Sequence, residues 1–154
     1  MINEITVKNL DTTKFIEEKT RMIKDTVGNG IAINALSGGV DSSVVTMLGH
    51  KALGNKLRTV FIQNGLMREG EAEKVAGFFR ALGINIEIVD ARKEFLTALK
   101  GITDPEMKRE VITQTFYKKV FGKLVRESGA RFLLQGTILT DVDETVAGIK
   151  RQHN

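Results

Sequence analysis

Apolar residues recur at helical spacing near the start of the chain, with Phe15, Ile16, Met22, Ile23 and Val27 on one stripe behind Asp11, Thr12 and Thr13 as candidate N-caps. Gly28 and Gly30 end that helix. Residues 31–36 then form a short, largely apolar run closing on two glycines, the pattern of a strand buried on both faces as it enters a tight turn. Val44, Val45, Met47, Leu48, Ala52 and Leu53 predict a helix over residues 41–53, stopped by Gly54. Residues 57–62 read as a second strand, 69–82 as a helix ending at Gly83, 84–89 as a third strand and 91–99 as a short helix. Thr103, Asp104, Pro105 and Glu106 carry the capping-box and first-turn proline signals of a longer helix running to about Ser128 and Gly129. Residues 131–135, with Phe132, Leu133 and Leu134, read as a fourth strand, and Gly136 and Thr137 open the next loop. Beyond Leu139 periodicity fails, and polar residues 139–154 read as a loop whose continuation is missing.

Strands alternating with helices over connections of this length require a parallel sheet with helices on both faces, because parallel crossovers are right-handed and need a covering helix. The fold class is therefore α/β, a doubly wound parallel sheet. At 154 residues the chain is expected to form a single domain over residues 1–154, burying roughly two-thirds of the surface its unfolded form exposes.

Composition removes several classes of function. The apolar content of 42% and charged content of 27% are ordinary for globular proteins, and no apolar run approaches the roughly 18 residues of a membrane span. No apolar segment follows a basic patch at the N-terminus, so no secretory signal is read and the cytoplasm is the expected location. The absence of cysteine excludes disulfides, thiolate metal sites and a cysteine nucleophile within this polypeptide. A net charge of +4 does not mark a nucleic-acid surface, since basic residues are interspersed with acids, as at Glu17, Glu18, Lys19 and Arg21. The one local basic excess, Lys150 and Arg151 beside His153, has no interleaved aromatic residues.

The chemistry lies at the first strand-to-helix turn. Ligands of open α/β sheets bind beyond the carboxyl ends of the strands, and Ser37, Gly38, Gly39, Val40, Asp41, Ser42 and Ser43 occupy that place. Gly38 and Gly39 permit close backbone approach, the following helix offers unpaired N–H groups, and Ser37, Ser42 and Ser43 add hydroxyls, a cradle suited to a pyrophosphate. A metal-bridged triphosphate would also account for Asp41, because Mg²⁺ favours carboxylate with phosphate oxygens. No lysine completes a Walker A motif, and the spacing of Gly28 and Gly30 fails the dinucleotide GxGxxG. The plainer alternative is a capped turn with Asp41 as the N-cap.

SGGVDSS resembles the signature of the PP-loop ATP pyrophosphatases. The resemblance extends to the synthetase domain of GMP synthases through ALSGGVDSSVV, VFIQNGLMREGE, LKGITDPEMKRE, LLQGTILTDVDET and GIKRQHN, in that order. It implies a Rossmann-like, adenine nucleotide alpha hydrolase-like sheet of about four strands here, in the order 3-2-1-4. It also implies ATP across the strand ends, with its phosphates on residues 37–43 and its adenine near Val60, Phe61, Ile62, Gly136 and Thr137. By the same resemblance Asp41 would hold Mg²⁺ and pyrophosphate, Lys150 would close over the phosphates, and both would count as catalytic. Lys108 and Arg109 read instead as ordinary helix-surface residues. The implied reaction is adenylylation of a nucleotide carbonyl oxygen, that of xanthosine monophosphate, followed by displacement of AMP by ammonia.

Three positions depart from the family pattern: Gln63 in place of aspartate, Thr140 in place of proline and Gln152 in place of histidine. The resemblance leads us to expect a chain truncated at its C-terminal end, without glutaminase or dimerisation domains. Ammonia would then come from a separate glutaminase, and a missing fifth strand would expose the edge of strand 4 and favour a homo-oligomer. Two other readings stay open: a non-catalytic nucleotide-binding module or inactive fragment, and a PP-loop tRNA sulfurtransferase.

Overall fold

The structure, a computed structural model, describes residues 10–137. Asp11 caps the first helix, α1 (Thr12–Val27), by accepting from the Lys14 N–H at 3.0 Å. Strand β1 (Ala32–Ala35) follows, then α2 (Val40–Leu53), a 3₁₀ turn (Gly54–Lys56) and β2 (Leu57–Gln63). The second half holds α3 (Glu71–Ala81), β3 (Glu87–Asp90), α4 (Arg92–Leu99) and α5 (Pro105–Gln114). A π-helical segment (Thr115–Phe121), α6 (Gly122–Ser128) and β4 (Phe132–Leu133) complete it. Asp104 caps α5 through the Met107 N–H at 2.8 Å.

All pairings are parallel, in the order β3-β2-β1-β4, as the resemblance implied. Alternation along β1 and β2 divides the core between two faces. Ile33, Val60 and Ile62 point to one side, where Ala91, Phe95, Val120, Phe121 and Leu124 cover them. On the other, Phe61 packs with Leu36, Ala72, Ala76 and Phe79, while Ala32 and Leu57 pack with Val27 and Leu53. Phe61, Phe79 and Phe95 are fully buried, each stabilising the fold by about 1.5–3 kcal/mol. Among the described residues no helix is long and apolar enough to cross a membrane.

Two expectations change. The third strand begins at Glu87 rather than near residue 84, because Ile84 and Ile86 are buried against α3 before the chain joins the sheet edge. Arg58 then ties β3 to β2 through two 2.9 Å bonds to Glu87.

The long helix expected up to Ser128 is instead interrupted by wide π turns. The cause is visible in the spacing of its buried face. The quartet Val111, Ile112, Thr115 and Phe116 recurs as Val120, Phe121, Leu124 and Val125, a longer step than the roughly 7 residues of two α-turns. A regular α-helix would rotate the second quartet off the core; the π turns absorb the excess and keep both on one face. The Gly122 N–H donates to the Tyr117 carbonyl, closing the last wide turn, and a methyl group at Gly122 would lie 2.7 Å from that oxygen.

Gly122→Ala is therefore expected to lower stability by about 1–3 kcal/mol. Urea denaturation measures this, and an unchanged midpoint would show that the wide turn can relax without cost.

Candidate nucleotide site

β1 lies between β2 and β4, and residues 37–43 follow beyond its carboxyl end, with 37–41 exposed. Gly38 adopts φ +85°, a conformation that strains any L side chain. A Cβ there would lie 3.2 Å from Val75 Cγ2, on α3. The turn thus lies close against α3, and glycine is favoured by the dihedral, with a side chain there also crowding Val75.

The N-cap of α2 is Gly39, and no side chain caps the helix. The plainer reading of Asp41 as the N-cap is set aside: Asp41 stands exposed in the first turn. The serines brace the loop instead. Ser37 Oγ and Ser42 Oγ are 2.9 Å apart, the Ser37 N–H donates to Ser42 Oγ at 3.2 Å, and Ser43 Oγ donates to the Gly39 carbonyl at 2.7 Å. Hydroxyls turn at little cost, so a bound anion could draw these protons outward beside the N–H groups of the helix start.

The turn after β4 closes over the same helix start. A Cβ on Gly136 would sit 3.1 Å from the backbone carbon and oxygen of Asp41. Glycine here lets the 135–137 turn touch the first turn of α2, and exposed Thr137 is carried beside it. Residues 37–43, Gly136 and Thr137 are therefore brought to one place. The side chains of Val60, Phe61 and Ile62 are buried in the two cores, so β2 could meet a ligand there only through its backbone and its carboxyl end. Lys108 and Arg109 are exposed on α5, with Arg109 paired to Glu106 at 2.9 Å. Lys150, Thr140 and Gln152 lie outside the described residues.

The first turn of α2 is also held from beneath by an arrangement the sequence reading passed over. Asn34, in the middle of β1, is buried, and its register partner on β2 is Thr59. Thr59 Oγ1 donates to Asn34 Oδ1 at 2.6 Å and Asn34 Nδ2 donates to Thr46 Oγ1 at 2.7 Å. Thr46 Oγ1 in turn donates to the Ser42 carbonyl at 2.8 Å, while His50 Nε2 lies 3.2 Å from Thr59 Oγ1. Burial holds the His50 imidazole below its ordinary pKa. An asparagine inside an otherwise apolar strand was the available signal, since a buried amide must find partners.

Beyond the end of β2, an open hollow of about 220 Å³ is lined by Gln63, Gly65, Met67, Arg68, Gly70 and Arg92, among others. Its floor includes Gln63, one of the three family departures. Asp90 accepts from Arg92 Nε at 2.9 Å and from Arg92 Nη2 at 2.6 Å, and these bonds, with the Arg92 backbone N–H, lower its pKa to about 2. Among the described residues no group of three His, Cys, Asp or Glu side chains could hold a metal by itself. A cation beside Asp41 would have to share its coordination with phosphate oxygens, the usual manner of Mg²⁺.

The family model described as NAD synthase matches residues 11–119. The chain is 50% identical over 145 residues to a GMP synthase (glutamine-hydrolyzing) subunit of Archaeoglobus fulgidus, covering 94% of this chain and 47% of that protein. It is 48% identical over 146 residues to the Pyrococcus horikoshii protein of the same name, covering 94% and 47%. The chain thus spans about half the length of the curated relatives it matches. Its fold is similar to that of the NH3-dependent NAD synthetase from Campylobacter jejuni, with TM-score 0.72 at 15% identity, covering 86% of this chain and 59% of that one.

Carboxyl NMR titration should place the Asp90 midpoint at about 2. Arg92→Ala should raise it toward the ordinary range near 4, the bond from the residue-92 backbone N–H being kept; an unshifted midpoint in that variant would remove the Arg92 side chain as a cause.

Proposed function

Because the chain belongs to the NAD synthase family of PP-loop proteins, we propose that it binds ATP at residues 37–43 for a GMP synthase-like reaction. The observation that carries this reading is the exposed serine and glycine loop at the carboxyl end of the central strand, in a chain 50% identical to the GMP synthase protein of Archaeoglobus fulgidus.

In this proposal the phosphates of ATP rest on Ser37, Gly38, Gly39, Val40, Ser42 and Ser43. The adenine lies toward the end of β2 and the turn at Gly136 and Thr137. Asp41 holds Mg²⁺ together with phosphate oxygens, and Lys150 closes over the pyrophosphate. Bound Mg²⁺ would supply charge neutralisation at the departing pyrophosphate. The carbonyl oxygen of the acceptor, xanthosine monophosphate by family likeness, attacks the α-phosphorus, and the bond from that phosphorus to the pyrophosphate oxygen breaks. Ammonia then adds at the activated carbon, AMP leaves with the former carbonyl oxygen, and a proton is released. The loop's work is to position the reactants and stabilise charge, so no side-chain nucleophile is required. A separate glutaminase would supply the ammonia, and a homo-oligomer is the proposed assembly, since among the described residues β4 is an edge strand of the sheet.

Titration calorimetry should show Mg-ATP binding to the full chain, weakened by about tenfold or more in Asp41→Ala. No binding by the unaltered chain would sink the nucleotide reading; equal binding by both would sink the role of Asp41. Acceptor identity is read separately, as pyrophosphate release that depends on xanthosine monophosphate and ammonia.

A further inference from the structure

We propose that Asn34 is a positioning residue for the phosphate loop, acting through a one-way chain of hydrogen bonds that ends on the Ser42 carbonyl. This rests on the nucleotide reading of residues 37–43, but the direction of the chain follows from the geometry alone.

A carbonyl can only accept, so the 2.8 Å contact between Thr46 Oγ1 and the Ser42 oxygen uses the single hydroxyl proton of Thr46. Thr46 Oγ1 must then accept across its 2.7 Å contact with Asn34, which turns the Asn34 amide nitrogen toward Thr46 and its oxygen toward Thr59. The 2.6 Å contact on that side uses the single proton of Thr59. Thr59 Oγ1 is left to accept from His50 across 3.2 Å, so Nε2 of His50 carries a proton. The proton shared across each of these four contacts is thereby assigned.

The consequence reaches the loop. Asn34, Thr46 and Thr59 are 1%, 0% and 2% exposed, so water cannot substitute for a missing partner. Ser42, whose carbonyl ends the chain, also places its Oγ against Ser37. The chain therefore anchors the first turn of α2 to two strands just beneath the residues proposed to hold the phosphates. A leucine at position 34 would fill the strand but remove the amide that links Thr46 to Thr59. Thr46→Val would keep the shape of its side chain and remove the hydroxyl bond to the Ser42 carbonyl.

Three measurements on the full chain test this. Nitrogen-15 NMR of the unaltered protein near neutral pH should find His50 protonated on Nε2 and not on Nδ1; the opposite tautomer would overturn the direction of the chain. Thr46→Val should weaken Mg-ATP binding by about three- to tenfold, with Thr46→Ser close to the unaltered affinity. Unaltered affinity in a folded Thr46→Val, or equal loss in Thr46→Ser, would overturn the positioning role. Amide exchange over residues 40–46 without nucleotide should be faster in Thr46→Val and in Asn34→Leu, and unchanged exchange would count against the anchor. If the unaltered chain fails to bind Mg-ATP, the nucleotide reading falls, while the tautomer and exchange results still decide the chain.

Discussion

The left-handed turn at Gly38 is the constraint on which the candidate site depends. It carries the chain from the central strand into α2 across residues 36–39, and a side chain there would crowd Val75. From one side it is pressed by α3; from the other, the Gly136 turn rests on the backbone of Asp41. Within the loop the serine hydroxyls brace the turn, and two of them also accept from the N–H groups of Ser37 and Gly39. A phosphate cradle needs such a fixed turn, since N–H groups stabilise an anion best when they are held in place before it arrives.

The sheet supplies that fixity. β1 is flanked on both sides, and its pairing with β2 sets Asn34 opposite Thr59. A buried amide in this position costs stability unless its partners are present, and here they are contributed by the neighbouring strand and by the helix that follows. The same register that builds the apolar core therefore also anchors the helix start. Polar residues inside the layer tie the loop to the sheet, whereas apolar residues would bury as much area without fixing a direction.

The opposite face shows how packing can override helical regularity. The two core-facing quartets before and after residue 118 cannot both face the sheet from a continuous α-helix, and the π segment reconciles them. Buried Val120, Phe121 and Leu124 then reach Ile33 and Val60, closing the core behind the central strand. Gly122 permits the close passage of the Tyr117 carbonyl that this geometry brings about.

Much of this was legible in the sequence. The alternation of short apolar runs with helical stripes determined a parallel doubly wound sheet, and the two glycines after residue 36 located the loop, because periodicity and backbone freedom are local properties. Strand order came from family resemblance and not from periodicity. Tertiary structure alone decided that Gly136 lies on Asp41, that β3 starts late after Ile84 and Ile86 have packed on α3, and that the last long helix widens. It also decided the partners of Asn34, which a linear pattern shows only as a polar residue out of place. Such contacts depend on cross-strand register and on the distance between layers, and these exist only once segments remote in sequence have packed together.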